Sequence, residues 1–483
     1  MRQLIWLRSD LRVADNSALA AAMASGPTLA VFLLSPDQWR EHDDAPCKVD
    51  FWLRNLAELQ PHLAALNVPL LIRVAPHWRA APGVLADLCR QHEIGGVWVN
   101  EEYGVNEQTR DQAVAAELRR HGVAFQKRLD QLFFRPGSVL TKSGGYFQVF
   151  SQFRKVCYQH LHTALPALVP LPAKQAPLNI ASDPVPERIE GFATPTAELR
   201  ALWPAGEDAA REQLAVFADG RLGWYQQRRD LPAVDGTSRL SPYLAAGVVS
   251  PRQCLHAALR SNQGEFESGN PGAVTWINEL LWREFYKHIL VGYPRVSRHR
   301  AFRRETEALR WCHAPDELAA WQQGRTGIPL IDAAMRQLLA TGWMHNRLRM
   351  VVAMFLTKNL LIDWREGERW FMRQLIDGDL AANNGGWQWS ASTGTDAAPY
   401  FRLFNPISQS RKFDPDGRFI RRWIPELAHL DNRDIHNPAA LGGLFGAASL
   451  GAAGYPAPLV DLSASRERAL SAFRDLPKAS GDD

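Results

Sequence analysis

The feature that most constrains this chain is a change of hydrophobic period near residue 130. Before it, short apolar runs at 4–7, 29–34, 70–74 and 97–99, and one opening at 123, alternate with helix-spaced stretches at 16–25, 48–66, 80–92 and 107–121. Asn16 stands where the first helix needs an N-cap, and Phe51, Leu53, Leu56, Leu59 and Leu63 recur at helical spacing in the second. Strand–helix alternation predicts a Rossmann-like α/β domain, a parallel sheet with helices on both faces. No G-x-G-x-x-G follows the first strand and no G-x-x-x-x-G-K-[ST] occurs, so this sheet lacks the usual phosphate-binding turn. Beyond residue 205 strand signals are scarce. The helical period dominates, as at 274–290, 329–341 and 344–362, which predicts a mostly α-helical second domain. Prolines from Pro136 to Pro195 punctuate the stretch between, with one helix near 147–164. The organisation read is an α/β domain at 1–130, an interdomain linker at 131–204 and a helical domain at 205–475.

A chain of 483 residues exceeds one ordinary core, and 46% hydrophobic with 22% charged residues is a globular balance. No apolar run approaches the roughly 18 residues that span a bilayer. The N-terminus lacks the apolar stretch of a signal peptide, so an intracellular, cytoplasmic protein without a membrane partner is expected. Cys47, Cys89, Cys157, Cys254 and Cys312 are scattered and form no C-x-x-C, which argues against disulfides and structural zinc. A net charge of +4 is too small to require a nucleic-acid partner. The 17 tryptophans say more: packing accounts for most, but several lie in polar segments.

Four stretches carry candidate chemistry. In Thr275-Trp276-Ile277-Asn278-Glu279-Leu280-Leu281-Trp282-Arg283-Glu284-Phe285-Tyr286, helical steps put Trp276, Glu279, Arg283 and Tyr286 on one face, with Trp282 at its edge. Such a face is either an internal Glu–Arg pair under aromatic packing or the wall of a pocket for a flat, hydrogen-bonding ring. In Trp343-Met344-His345-Asn346-Arg347-Leu348-Arg349-Met350, Asn346 and Met350 face one way, flanked by Arg347 and Arg349; a plain basic surface helix fits equally well. Asp377-Gly378-Asp379-Leu380-Ala381-Ala382-Asn383-Asn384-Gly385-Gly386-Trp387-Gln388-Trp389 reads as a turn-rich loop. No further acidic ligands accompany its D-x-D, so no metal is expected. Gly236-Thr237-Ser238-Arg239-Leu240-Ser241 offers hydroxyls and a helix start that can hold a diphosphate, or simply an N-cap.

Taken together, from Trp6-Leu7-Arg8-Ser9-Asp10-Leu11-Arg12 to Ile420-Arg421-Arg422-Trp423-Ile424-Pro425-Glu426-Leu427, the chain resembles the photolyase/cryptochrome family, and within it the bacterial class I cyclobutane pyrimidine dimer photolyases of folate type. The resemblance implies an α/β domain, a long linker and a helical domain that holds FAD. The implied FAD contacts are Tyr225, Thr237, Ser238, Arg239, Leu240, Ser241, Trp276, Arg283, Asn346, Arg349, Asp377, Gly378, Asp379 and Asn383, with Asn383 beside flavin N5. The working state is the reduced anion FADH⁻; Arg283 and Arg349 would compensate its charge, and Arg349 would pair with Asp377. The implied partner is DNA containing cyclobutane pyrimidine dimers, with the lesion flipped out of the helix. Its contacts would be Arg229, Glu279, Trp282, Asn346, Arg347, Met350, Trp389 and Gln409: Trp282 and Trp389 as an apolar wall, Glu279 as a hydrogen-bonding acid.

The implied reaction is that of a carbon–carbon lyase driven by light. Excitation lends an electron to the dimer, and the electron returns once the bonds have broken. Trp387, Trp364 and Trp311 match the family's chain for reducing oxidised flavin. His42, Asn106, Glu107 and Arg298 match the positions that bind a 5,10-methenyltetrahydrofolate antenna, although Ser297 and Arg298 depart from the family's small thiol and lysine. A monomer, nucleoid-associated when bound to DNA, is implied. Two alternatives stand beside this reading. A (6-4) photoproduct enzyme would carry histidines at Asn346 and Met350. A cryptochrome-type photoreceptor tends to carry Asp at Asn383 and a long C-terminal extension.

Overall fold

In the computed structural model, which describes residues 1–441 and 454–477, the alternating N-terminal runs form five strands: β1 (Arg2–Leu7), β2 (Thr28–Leu34), β3 (Leu70–Val74), β4 (Ile94–Asn100) and β5 (Ala124–Arg128). All pair in parallel, in the order β3-β2-β1-β4-β5, with Ile5 beside Ala30 on one side and Trp98 on the other. β2 is buried along its whole length, as a central strand covered on both faces must be. The intervening helices lie where their spacing predicts, at Ser17–Ser25, Pro46–Ala65, Ala81–Gln91 and Val105–Arg120. Asn16 caps the first by accepting from the Leu19 N–H.

This strand order reverses between β1 and β4, the crevice where doubly wound folds hold nucleotides. Here the strand ends carry a network of charged side chains. Arg8 pairs with Asp111 at 2.6 Å and donates to the Asn100 carbonyl, while the Asn100 amide donates to Asp10 at 2.6 Å. The Arg8 and Arg110 guanidinium carbons lie 5.0 and 4.8 Å from the Trp6 ring centroid. These ion pairs and hydrogen bonds stand at the C-terminal ends of β1 and β4.

The chain divides into two compact units. The first comprises Met1–Gln226, Ser238–Pro294 and Ile376–Ala381; the second comprises Gln227–Thr237, Arg295–Leu375 and Ala382–Asp483. In the first, the segment after β5 holds a helix at Phe150–Thr163 and a short one at Ala197–Leu202, and the long Pro271–Gly292 helix is capped by Asn270. The second is helical around a core that includes Trp321, Met335, Leu348, Phe355, Trp364, Phe371 and Trp387. No helix among the described residues is long and apolar enough to cross a membrane, and all five cysteines are free thiols.

Two sequence expectations are corrected. The stretch read as a turn-rich loop is helical from Leu380 to Ala391. Ala381, Asn384, Trp387, Gln388 and Ala391 form one buried stripe at helical spacing, and this burial outweighs the roughly 1 kcal/mol that each of Gly385 and Gly386 costs in a helix. The helix expected over 344–362 starts at Asn346, because His345 caps it, and from Phe355 to Asn359 it widens into a π turn. Leu361, at φ 56°, ends that run in the left-handed region.

Candidate functional site

The Pro271–Gly292 helix presents two stripes. Thr275, Asn278, Glu279, Trp282, Arg283 and Tyr286 are half-buried at steps of three and four, while Trp276, Ile277, Leu280, Leu281, Glu284 and Phe285 are buried. Glu279, Arg283 and Tyr286 therefore share a face as expected, and Trp282 joins it. Trp276 turns inward, against Phe217 at 4.9 Å between ring centroids, and Phe217 in turn meets Tyr225 at 5.8 Å. The buried face is locked from behind. The Glu284 carboxylate accepts the Phe133 and Phe134 N–H groups at 2.9 and 2.6 Å, and Arg283 donates to the Gln131 carbonyl at 2.6 Å. One turn beyond Arg283, the Lys287 ammonium meets the Asp379 carboxylate at 2.6 Å.

Around the predicted diphosphate loop the backbone is constrained. A Cβ on Gly236 would fall 2.8 Å from the Arg228 carbonyl oxygen, and Arg239 holds φ 52°, in the left-handed region a non-glycine residue seldom adopts. The Ser238 carbonyl accepts from Gln213 at 2.7 Å. Leu240, buried, offers no acceptor at the cap of the Ser241–Ala246 helix. Asp377 and Gly378 are buried, and burial together with the Asp377 charge pushes the Cys47 thiol up to about 12.

In the second unit, His345 caps the Asn346–Met354 helix through Nδ1, which accepts the Arg347 N–H at 3.2 Å. Its ring is 2% exposed, its Nε2 has no partner, and burial lowers its pKa to about 4, so it is neutral as a cap acceptor must be. Asn346 is exposed and Met350 half-buried. Arg347 grips Asp230 with two nitrogens, at 3.2 and 2.9 Å, and lies 4.7 Å from the Phe413 centroid. Arg349 donates to the Met344 carbonyl. Arg229 and Trp389 are half-buried, and the buried Gln409 Oε1 has no hydrogen-bond partner, an acceptor left open.

Asn383, 8% exposed, donates from Nδ2 to the Glu368 carbonyl at 2.9 Å, which turns Oδ1 the other way. The Glu368 carboxylate accepts from Asn384 at 2.8 Å, and Asn384 accepts from Gln388 at 2.8 Å. Trp387 and Trp364 are buried in the core and Trp311 packs on it half-buried. Trp387 fits because residue 367 is glycine; a Cβ there would fall 2.1 Å from its Cη2.

At the other predicted site, His42 meets Gln38 at 3.1 Å and Asn106 at 3.0 Å, with the Trp78 ring edge-on at 4.8 Å. Glu107 stands in the first turn of the Val105–Arg120 helix; burial and the nearby Glu102 charge push it above the usual carboxylate range. Burial also pushes Glu102 up, but Arg8 and Arg110 outweigh this and hold it low. Arg298 ends a short turn, Val296–Arg298, in the second unit. Sequence reasoning missed Lys287, Asp230, Glu284, Glu368 and the Gln38–Trp78 surroundings. Lys287 alone left a signal, as a cation one turn past Arg283.

A family model described as "DNA photolyase" matches residues 3–173, and one described as "FAD binding domain of DNA photolyase" matches residues 276–475. The chain is 45% identical to a deoxyribodipyrimidine photo-lyase of Salmonella typhimurium, over 98% of this chain and 99% of that one. Among solved structures, it resembles a bacterial class III photolyase from Agrobacterium tumefaciens with TM-score 0.85 and 34% identity, covering 98% of this chain and 97% of that one. A Synechocystis cryptochrome aligns with TM-score 0.82 and 29% identity, over 97% of this chain and 98% of that one.

Proposed function

The chain belongs to the DNA photolyase family, and on that premise we infer how its own residues divide the work of light-driven repair. The activity is the splitting of cyclobutane pyrimidine dimers in DNA by an FAD-dependent deoxyribodipyrimidine photo-lyase. Bound FAD, in its reduced form, supplies the electron that excitation makes available to the dimer.

In the first unit, Tyr225, Ser238, Arg239, Leu240, Ser241, Trp276, Arg283, Asp377, Gly378 and Asp379 are assigned to FAD, and Glu279 and Trp282 to the lesion. In the second, Thr237, Asn346, Arg349 and Asn383 are assigned to FAD, and Arg229, Asn346, Arg347, Met350, Trp389 and Gln409 to the lesion or its phosphates. The donor set fits the reduced group. With Nδ2 pinned by Glu368, Asn383 offers Oδ1 as an acceptor, the partner a protonated N5 needs. Lys287 adds a cation, paired to Asp379, near residues assigned to an anionic ring. Half-buried Trp311, with Trp364 and Trp387 buried in the same core, supports a route for reducing equivalents from the surface inward. His42, Asn106 and Glu107 are assigned to a folate antenna. Burial and the Glu102 charge push Glu107 up, in the direction that favours a proton donor toward a pterin-type ring. A cytoplasmic monomer completes the reading.

The observation that carries this reading is the half-buried stripe of the Pro271–Gly292 helix: a carboxylate, an indole plane and a guanidinium presented together on a helix locked from behind. Asn346 and Met350, one turn apart, bring no group that transfers a proton, which favours the cyclobutane dimer over the (6-4) photoproduct. The test offers the reduced protein each lesion in turn under blue light. Thymine absorbance should recover only with the cyclobutane dimer; recovery with the (6-4) lesion, or with neither, overturns the assignment.

A further inference from the structure

Within the first unit, the indole assigned as a lesion wall has one face already taken. Phe150, the first residue of the Phe150–Thr163 helix and 5% exposed, lies parallel to Trp282, with ring centroids 3.8 Å apart and planes at 12°. Stacking is one of the arrangements aromatic pairs favour, and the surroundings hold this pair in it. Phe285 meets Phe150 edge-on at 5.8 Å and Trp282 edge-on at 5.7 Å, and Tyr286 lies against Trp282 at 5.6 Å. The two helices are also fastened further along, by Phe153 against Phe285 and His288, and by the Tyr158 hydroxyl donating to Asn278 at 2.6 Å.

We propose that Phe150 is a positioning residue for lesion recognition, a backing plate that fixes the Trp282 plane so that its opposite face meets the extruded pyrimidine flat. The proposal rests on the assignment of Trp282 to the lesion wall. It also gives the connecting segment a role beyond tethering, since the ring that orients Trp282 comes from the stretch the sequence marks as linker. Stacking on a base needs a plane held at a fixed tilt. An indole with a void behind it rotates into that void, and its outer face tilts away. Phe150 does not touch the lesion; it acts through Trp282.

The experiment measures binding of a single-stranded oligonucleotide carrying one thymine dimer, and of the same strand undamaged, to flavin-loaded wild type, Phe150→Leu, Phe150→Tyr and Trp282→Ala. Leucine refills the volume without a plane, and tyrosine restores the plane. Phe150→Leu should weaken dimer binding about tenfold, the worth of one aromatic stack. Affinity for undamaged DNA, flavin content and repair yield at saturating dimer should stay unchanged, and Phe150→Tyr should recover most of the loss. If Phe150→Leu does not fold, Phe150→Met, which also lacks a plane, takes its place. Dimer affinity unchanged in Phe150→Leu but lost in Trp282→Ala overturns the proposal and leaves the lesion wall intact. Equal losses for damaged and undamaged strands, or loss of flavin, overturn it as well, because they mark a merely structural ring. Unchanged dimer affinity in Trp282→Ala overturns the assignment on which it rests.

Discussion

Replacing Asn383 by aspartate tests the amide's placement without changing its size. The wild-type Nδ2 donates to the Glu368 carbonyl at 2.9 Å in a site where Asn383 is 8% exposed. An ionised carboxylate in its place would lose that bond and set a charged oxygen against the carbonyl, a cost of about 1–3 kcal/mol for an unpaired buried acceptor. A protonated carboxyl could restore the bond, so the folded state holds its proton above the unfolded value of about 3.9. The sign follows. Below about pH 3, both states carry the proton and the variant suffers no deficit. As pH rises the unfolded chain ionises first, and the variant loses stability until the raised folded pKa is passed. The gap in Tm between wild type and Asn383→Asp should therefore widen between about pH 4 and about pH 6, by about 2–4 °C for each kcal/mol in a unit of this size. A carboxyl group can also pass a proton toward N5 where an amide cannot, so spectra recorded during anaerobic photoreduction should differ. A pH-independent gap together with identical spectra would refute the argument.

Other outcomes follow from neighbouring residues. Lys287→Met removes the ammonium from the Asp379 carboxylate and should lower FAD retention, with a coupling of at least about 1 kcal/mol to Asp379→Asn in a double-mutant cycle; strict additivity would contradict the pairing. His345 is buried neutral with its pKa lowered to about 4, so its contribution is complete above about pH 6.5 and is lost as pH falls toward about 4, a span worth about 3 kcal/mol. His345→Asn keeps a cap acceptor and should flatten that acid limb in thermal melts; an unchanged slope counts against it. Trp311→Phe should stop photoreduction of oxidised flavin yet spare repair by chemically pre-reduced protein, and loss of both would remove Trp311 from the electron route.

Much of the architecture was legible because it rests on period. The strand runs at 29–34 and 70–74 and the helix at 48–66 are set by local apolar spacing, and they lie where that spacing puts them. The helix at Leu380–Ala391 was not legible. Its Asn-Asn-Gly-Gly run has turn chemistry, and what makes it helical is a buried stripe whose partners, such as Glu368 and Gly367, are local to no short window. The same limit applies to the site. Family positions name Asn383 and Asp379, but the groups that hold them, the Glu368 carbonyl and the Lys287 ammonium, emerge only once the chain is folded. Arg347 shows the difference most sharply: its sequence setting suggests a phosphate contact, whereas the fold gives it a carboxylate, Asp230, that a phosphate would have to displace.

The central claim is that the electron lent to the dimer returns, so that repair consumes light and no reductant. The direct measurement reduces the flavin-loaded protein stoichiometrically, removes oxygen and excess reductant, and illuminates it with dimer-containing DNA in large excess while thymine and flavin absorbance are followed together. Thymine absorbance should recover through many turnovers with the reduced flavin spectrum unchanged, and not at all in the dark. Recovery that stops after a single turnover as the flavin oxidises, or that proceeds without light, would contradict the account.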